Sequence, residues 1–460
     1  MMAIMQRQMS TSRRLIFASA DIFGGGGSAL ISVLYLFYLT DVMHIAPGWA
    51  ATATLLPRIW DAVNNPLVGV WSDNTRTRWG RRRPWIMAGA MLLILAMAAY
   101  WAPIGGWRSE ALKVAWVIGA GLFYTTVATM IAVPYGSLST ECSTDYSERN
   151  TVNLMRLLFS TVSSAGASLL GSLLITQYTN GALSVTGLYL AIALGFGTLF
   201  AVPAFLAGLF TIERTALPKQ PTRLNISALR EPLQLRSFRI LLGLYIAQGL
   251  TMDIIQALIV YYALYVVKAN VTIFLGSFIV VNLIAFPIVG RLLKRVSKHS
   301  IYRTLLPVAL LASVALALYP ASWPSLGIYL LGAVLAVGMC GAVLMVWVMF
   351  PDVMDDAERV TTRRDAGVYS GLMTLIRGIA TALALLIIGW LLQWTGYLPP
   401  EDYADPVQPD AVLIGLRLTL VISVVAIMSW AYWLAARYPL TMARSAEIQA
   451  ELRTRAQEQP

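Results

Sequence analysis

The stretch "RIWDAVNNPLVGVWSDNTRTRWGRRRPW", Arg58–Trp85, opens with ionisable residues inside a hydrophobic segment and closes with five arginines in eight residues. Arg58 and Asp61 are three residues apart, so a helix puts them on one face, close enough to pair. Asn65 continues that face one turn later, where a second acid would stand, and Asn64 flanks it. A charge at membrane depth costs roughly 3 kcal/mol on insertion scales, so it needs a cavity, a partner or a function. The arginine run is what a chain carries where it leaves a bilayer on the cytoplasmic side. The stretch therefore reads as a membrane helix followed by its exit loop.

The rest of the chain follows the same reading. It is 58% hydrophobic and 12% charged, too little charge to clothe a soluble protein of 460 residues. About twelve apolar runs long enough to span a bilayer recur between residues 15 and 436. Arg13 and Arg14 lead into a first run too long for a signal-peptide core, so no cleaved signal is expected. The net charge of +11 does not indicate a nucleic-acid partner, because the charge is sorted by side. With the N-terminus inside, 27 of the 34 Lys and Arg fall in the tails and even-numbered connections. Only Arg108, Lys113 and Lys268 fall in odd-numbered loops, and the loop at 397–410 is acidic. This is the positive-inside pattern, and it places both termini in the cytoplasm. Cys142 and Cys340, with His44 and His299, supply neither a disulfide nor a metal site. No paired carboxylate, Ser/His or Cys/His constellation marks an enzyme, and no cofactor is implied.

The longest polar connection, 212–237, holds Pro218, Pro221 and Pro232. It divides the chain into an N-terminal six-helix half (1–211), a cytoplasmic central loop (212–237), a C-terminal six-helix half (238–437) and a cytoplasmic tail (438–460). Six plus six is the arrangement of major facilitator transporters. The expected fold class is an all-α membrane protein of twelve transmembrane helices in two six-helix halves, with both termini cytoplasmic. A weak internal echo fits: "GVWSDNTRTRWGRRRP" from Gly69 and "GRLLKRVSKHSIYR" from Gly290 both start with a helix-end Gly and continue as a basic run.

Six ionisable residues are expected at membrane depth: Asp21, Arg58, Asp61, Arg156, Asp253 and Arg377. For Arg58, a neutralising pair with Asp61 competes with a functional role. Asp61 is read as functional, since an acid with amide oxygens nearby coordinates a hard cation such as Na⁺ or carries a proton. Arg156 and Arg377 offer the several donors that a ring of sugar hydroxyls requires. Tyr261, Tyr262, Trp347 and Tyr369 either present aromatic faces to a substrate or pack between helices. Gly24–Gly27 permits a close helix contact or a bend.

Six segments, in order, together resemble a known family: "YLFYLTDV" (Tyr35–Val42), the Arg58–Trp85 stretch, "VPYGSLSTE" (Val133–Glu141), "ERNTVNLMR" (Glu148–Arg156), "PDVMDDAE" (Pro351–Glu358) and "GVYSGLMTLIRGIATAL" (Gly367–Leu383). The family is the glycoside–pentoside–hexuronide:cation symporters of the melibiose-permease type, within the major facilitator superfamily. The resemblance spans nearly the whole chain, and its Arg58–Pro84 block is the most specific part. By that resemblance, Asp61 is the cation-site acid on helix two, Asn64 the amide beside it, and Thr129 a hydroxyl of the same site. Arg156 is the sugar-contacting arginine of helix five. Arg377 replaces a helix-eleven lysine that lies near the cation site. Gly69, Asp73, Arg76, Arg81, Arg82 and Arg83 resemble the loop that locks the inner gate. Asp352, Asp355 and Glu358 resemble an acidic run after helix ten that pairs with cytoplasmic arginines.

The departures carry as much information. Asn65 stands where the family has an acid central to coupling, Ala132 where a helix-four acid binds sugar, and Gly25 where a helix-one acid does, with Asp21 one turn earlier. The expected substrate set is Asp21, Asp61, Arg156, Tyr261, Trp347 and Arg377. The expected coupling set is Asp61, Asn64, Asn65 and Thr129. The resemblance implies a secondary active transporter of the bacterial inner membrane, importing a sugar or glycoside by H⁺ or Na⁺ symport through alternating access. Its partners would be that small molecule and the lipid bilayer, not nucleic acid, and it is read as a monomer. Alternatives are an uncoupled facilitator or exchanger, suggested by Asn65, and a lysolipid or lipid translocase on the same fold.

Overall fold

The computed structural model of the protein describes residues 9–141, 146–211, 213, 230–292, 296, 298–320, 322–361, 366–399, 407–441, 444–445, 447–448, 450–452 and 454. Among these, twelve long helices follow one another: α1 (Thr11–Val42), α2 (Pro47–Asn74), α3 (Arg83–Tyr100), α4 (Glu110–Glu141), α5 (Tyr146–Thr179), α6 (Val185–Phe210), α7 (Arg236–Val266), α8 (Val271–Leu292), α9 (Lys298–Leu318), α10 (Ser325–Thr361), α11 (Ala366–Trp394) and α12 (Asp410–Ala436). Eleven are both long and apolar enough to cross a membrane. The exception is α2, which is long enough but carries Arg58, Asp61, Asn64, Asn65 and Asp73. The helix that opened the sequence reading is thus the one of these twelve without an apolar stretch of span length. The chain is an integral membrane protein.

Helix ends follow local chemistry. Pro47 and Pro84 occupy first turns, where a missing N–H costs nothing. Ser184 caps α6 through its hydroxyl, which accepts from the Gly187 N–H at 3.0 Å. Several helices run past their apolar stretches. The acidic run 352–358 was expected after helix ten, yet it lies inside α10, which continues to Thr361. Gly69 likewise lies inside α2, not at its end. Helical hydrogen bonding needs no apolar side chain, so a helix can leave the bilayer without stopping.

The helices group into two compact units. One is Met1–Leu224 with Leu386–Val407, and the other is Asn225–Leu385 with Gln408–Pro460. In the first unit α1 packs on α5 and α6, α3 on α4 and α6, and α2 on α4. In the second, α7 packs on α12, α9 on α10 and α12, and α8 on α10. Each of these is a first-unit pairing moved on by six helices. The remaining pairing, α1 on α5, has its counterpart in the polar contacts between α7 and α11.

A second repeat appears at the ends of α1 and α7. Both finish in a wider turn with i→i+5 hydrogen bonds, Met43 N–H to Tyr38 O at 2.9 Å and Val267 N–H to Tyr262 O at 3.1 Å. Both then place a non-glycine residue in the left-handed region, His44 at φ 55° and Lys268 at φ 49°. That conformation is rare outside Gly, and it returns the chain into the next helix.

The Gly24–Gly27 run is explained by packing. A Cβ on Gly25 would collide with the Ser160 backbone on α5, and one on Gly26 with the Ser163 hydroxyl and the Phe200 ring. Ser163 Oγ donates to Ile22 O at 2.7 Å across the same seam. Small residues let the two backbones approach, and dispersion and hydrogen bonds then hold them without help from lipid.

Candidate functional site

In the first unit, α2 and α4 meet around Asp61. The Thr129 hydroxyl lies 3.3 Å from Asp61 Oδ1 and 2.9 Å from Thr125 O, so its single proton is shared between them. Asn65 follows Asp61 by one turn on the same face of α2. One turn below Trp60, whose indole donates to Thr126 at 2.9 Å, Asn64 is almost completely buried. Its Nδ2 has no hydrogen-bond partner among the described residues. An orphaned buried donor is costly and clusters at functional sites. Of the expected coupling set, Asp61 and Thr129 are brought into contact, while Asn64 and Asn65 lie three and four residues on along α2.

Arg58 is not part of that contact. It is half-buried, makes no hydrogen bond or ion pair among the described residues, and lies in the electrostatic reach of Asp61, Tyr100 and Tyr124. The expected Arg58–Asp61 ion pair does not form. Three-residue spacing shares a face, but it does not force two long side chains together.

A second cluster joins α1, α4 and α5. Arg156 Nε lies 2.6 Å from Asp21 Oδ2 and 3.1 Å from the Tyr135 hydroxyl. That hydroxyl is also 3.1 Å from Asp21 Oδ2 and 2.9 Å from Phe17 O. The guanidinium stands 4.4 Å over the Tyr135 ring. Its Nη1 donates to Asn153 at 3.1 Å. Arg156 is about three turns inside α5 and near the start of its membrane span, Thr151–Thr179. Its charge is balanced by Asp21, leaving donors on the outer edge of the fork.

The second unit holds a related cluster between α7 and α11. Arg377 Nη2 is 3.1 and 3.0 Å from the two Asp253 oxygens, and the Thr381 hydroxyl donates to Asp253 at 2.6 Å. Tyr245 places its ring 5.8 Å from the guanidinium. A Cβ on Gly249 would overlap the Arg377 side chain, so this glycine makes room for it. Tyr261 is completely buried and presents no face to a ligand, and Tyr262 donates to Leu316 O. Trp347 lies on α10, with its side chain outside the described residues.

The arginine loop folds back on its own unit. Arg82 pairs with Asp73 at 2.8 Å, and Arg76 donates to Asp73 O at 2.7 Å. The backbone N–H groups of Arg81, Arg82 and Arg83 all donate to the Glu213 carboxylate, at 3.0, 2.8 and 3.2 Å. Arg83 reaches the last carbonyls of α6, Gly208 O at 2.8 Å and Leu209 O. These donors close the α6 end, whose C-terminal carbonyls attract cations. Gly69 has open space apart from ordinary contact with Val133. In the second unit Asp352 is buried, while Asp355 and Glu358 are half-buried. At this end of α10 Asp356 pairs with Arg359 at 2.9 Å, and Ser237 donates to the same carboxylate at 2.6 Å.

Sequence reasoning passed over several of these groups. Tyr135 was legible inside "VPYGSLSTE", Asp356 inside "PDVMDDAE" and Asp41 inside "YLFYLTDV". Glu213 lies in a connection where no pattern marks it. Arg417, on α12, donates to Ala317 O at 3.3 Å and was available as a further charge within an apolar run. No group of three or more His, Cys, Asp or Glu able to hold a metal ion occurs among the described residues.

Buried ion pairs on membrane helices, a repeated helix plan and an arginine-braced loop define a polytopic carrier rather than an enzyme. The chain belongs to the family described as MFS/sugar transport protein, whose model matches residues 16–442. An uncharacterised symporter of Synechocystis sp. is 26% identical over 96% of this chain and 97% of its own length. A glucuronide carrier protein homolog of Escherichia coli K12 is 25% identical over 98% of this chain and 97% of its own. In fold, the chain matches a solved proton-dependent oligopeptide transporter at a TM-score of 0.66, with 12% identity over 95% of this chain and 100% of that one. The protein is a secondary transporter of the major facilitator fold.

Proposed function

We propose that the protein imports a sugar or glycoside across the bacterial inner membrane by cation symport, H⁺ or Na⁺, through alternating access. One observation carries this reading. Of the three acids Asp21, Asp61 and Asp253, only Asp61 has no arginine in contact. Asp21 and Asp253 are neutralised within the protein, as buried charges require. Asp61 has the Thr129 hydroxyl at 3.3 Å and the Asn65 amide one turn along α2, surroundings that suit a titrating acid or an oxygen-bound hard cation. Arg156 and Arg377 are positioned by their acids with donors to spare, which suits a polyhydroxylated substrate. The name of one full-length relative, a glucuronide carrier protein homolog, agrees with this substrate class, and that of another, an uncharacterised symporter, agrees with coupled transport.

Asn65 favours a second reading, transport without coupling. An amide at that position cannot take up a proton, and it halves the negative charge available to a cation. The two readings separate on one substitution. Asp61→Asn keeps the size and hydrogen bonds of the side chain and removes its titration. In proteoliposomes it abolishes concentrative uptake of a glycoside that the wild type accumulates, and leaves equilibration in place. Undiminished accumulation by the purified, folded variant contradicts the role given to Asp61.

A further inference from the structure

The end of the first unit away from the arginine loop contains a cavity of about 390 Å³. It is walled by Trp107, Arg108, Glu110, Lys113, Gln393 and Tyr397, together with the chain between α1 and α2. None of these residues belongs to the Asp61 or Asp21 clusters. A volume of this order holds a molecule of sugar size.

The polar groups in the walls are fixed in place. Tyr397 donates to the completely buried Asp41, at 2.6 and 2.8 Å from its two oxygens. Gln393 Oε1 accepts from the Gly48 N–H at 2.8 Å, and Glu110 Oε1 from the Ala46 N–H at 3.0 Å. The first turn of α2 is therefore already capped by side chains.

What the cavity lacks is negative charge. Lys113 is only 6% exposed, and its ammonium donates to Met43 O at 2.8 Å. It makes no ion pair among the described residues, although Glu110 lies within electrostatic reach. One of its three donors is used. Arg108 makes no hydrogen bond or ion pair among the described residues, and the Gln393 amide nitrogen is likewise uncommitted. Among the described lining residues two cations stand beside the one carboxylate of Glu110, while the Asp41 carboxylate behind the wall is engaged by Tyr397. A buried ammonium without a counter-ion is costly. Trp107 adds an aromatic face, held edge-on to Trp116 at 5.6 Å and 42% exposed.

We propose that this cavity binds a small organic anion of sugar size. Lys113 and Arg108 hold its anionic group by charge-assisted hydrogen bonds, Gln393 donates to a neighbouring oxygen, and the body lies against Trp107. The occupant joins the chain between α1 and α2, the first turn of α4 and the tip of α11. Residues 386–407 group with the first unit although the rest of α11 does not, and the bound anion reinforces that attachment. The inference does not depend on the substrate or coupling proposed above.

Calorimetric titration of the purified full-length protein in detergent tests it, with glucuronate as the probe and glucose as its neutral counterpart of similar size. Glucuronate is expected to bind and glucose not to bind at the same concentration. Arg108→Gln alters an exposed side chain, so it leaves the fold intact and weakens glucuronate binding about tenfold or more. Lys113→Gln acts in the same direction. Absence of glucuronate binding, or an equal response to glucose, overturns the proposal. So does binding that survives Arg108→Gln and disappears in Asp61→Asn, which places the ligand at the membrane-depth acid instead.

Discussion

Asn65 stands one turn from Asp61 on the same face of α2, where it adds an amide and no charge. Asn65→Asp would set two carboxylates one turn apart on α2. Like charges so close disfavour double ionisation, so the pair holds a proton or a cation more avidly than Asp61 alone. Uptake by Asn65→Asp should therefore respond more steeply to Na⁺ or to pH than wild-type uptake. Initial rates measured over a Na⁺ series and a pH series check this, and a variant with wild-type dependence on both removes position 65 from coupling. At this scale the sequence was partly legible. The Asp61, Asn64 and Asn65 face follows from helical spacing. The partners of Asp21 and Asp253 did not follow, because Arg156 and Arg377 are more than a hundred residues away and periodicity does not say which helices touch. The Arg58–Asp61 pair shows the converse. Spacing allowed it, and the side chains lie apart.

Among the elements, α1 depends most on small residues. Gly25→Ala puts a methyl group into the Ser160 backbone on α5, where no flexible side chain can yield. Overpacking of this kind costs about 1–3 kcal/mol. Gly166→Ala is the control, since its added Cβ meets nothing within 4 Å and Ala is the better helix former. A thermal melt in detergent should show a clear loss for Gly25→Ala and none for Gly166→Ala. Equal melting of the two variants would mean that α1 and α5 are not in tight contact. The helices themselves were readable as apolar runs, but their ends were less so. The run containing Asp352 and Glu358 looks like a loop because it is charged, yet it remains hydrogen-bonded as α10. The wide final turns of α1 and α7 have no sequence signature beyond a Tyr four residues before a Val, at Tyr38–Val42 and Tyr262–Val266.

For the whole molecule, six-plus-six organisation was visible in hydropathy and charge, and the repeated helix pairings and matching left-handed turns express the same duplication in three dimensions. The cavity walled by Lys113 and Arg108 was invisible beforehand, since it is assembled from three connections distant in sequence. The central claim, that Asp61 couples a cation to glycoside import, is a claim about energy conversion, so it is tested most directly by accumulation against a gradient. Protein reconstituted into liposomes is given an inward Na⁺ gradient, an inward H⁺ gradient or neither, and labelled glycosides, a glucuronide among them, are followed with time. The account predicts that one ion gradient drives at least one glycoside above its external concentration, and that an ionophore collapsing the gradient abolishes the excess. Uptake that stops at equal concentrations for every glycoside, whatever the gradient, would contradict it and leave an uncoupled carrier.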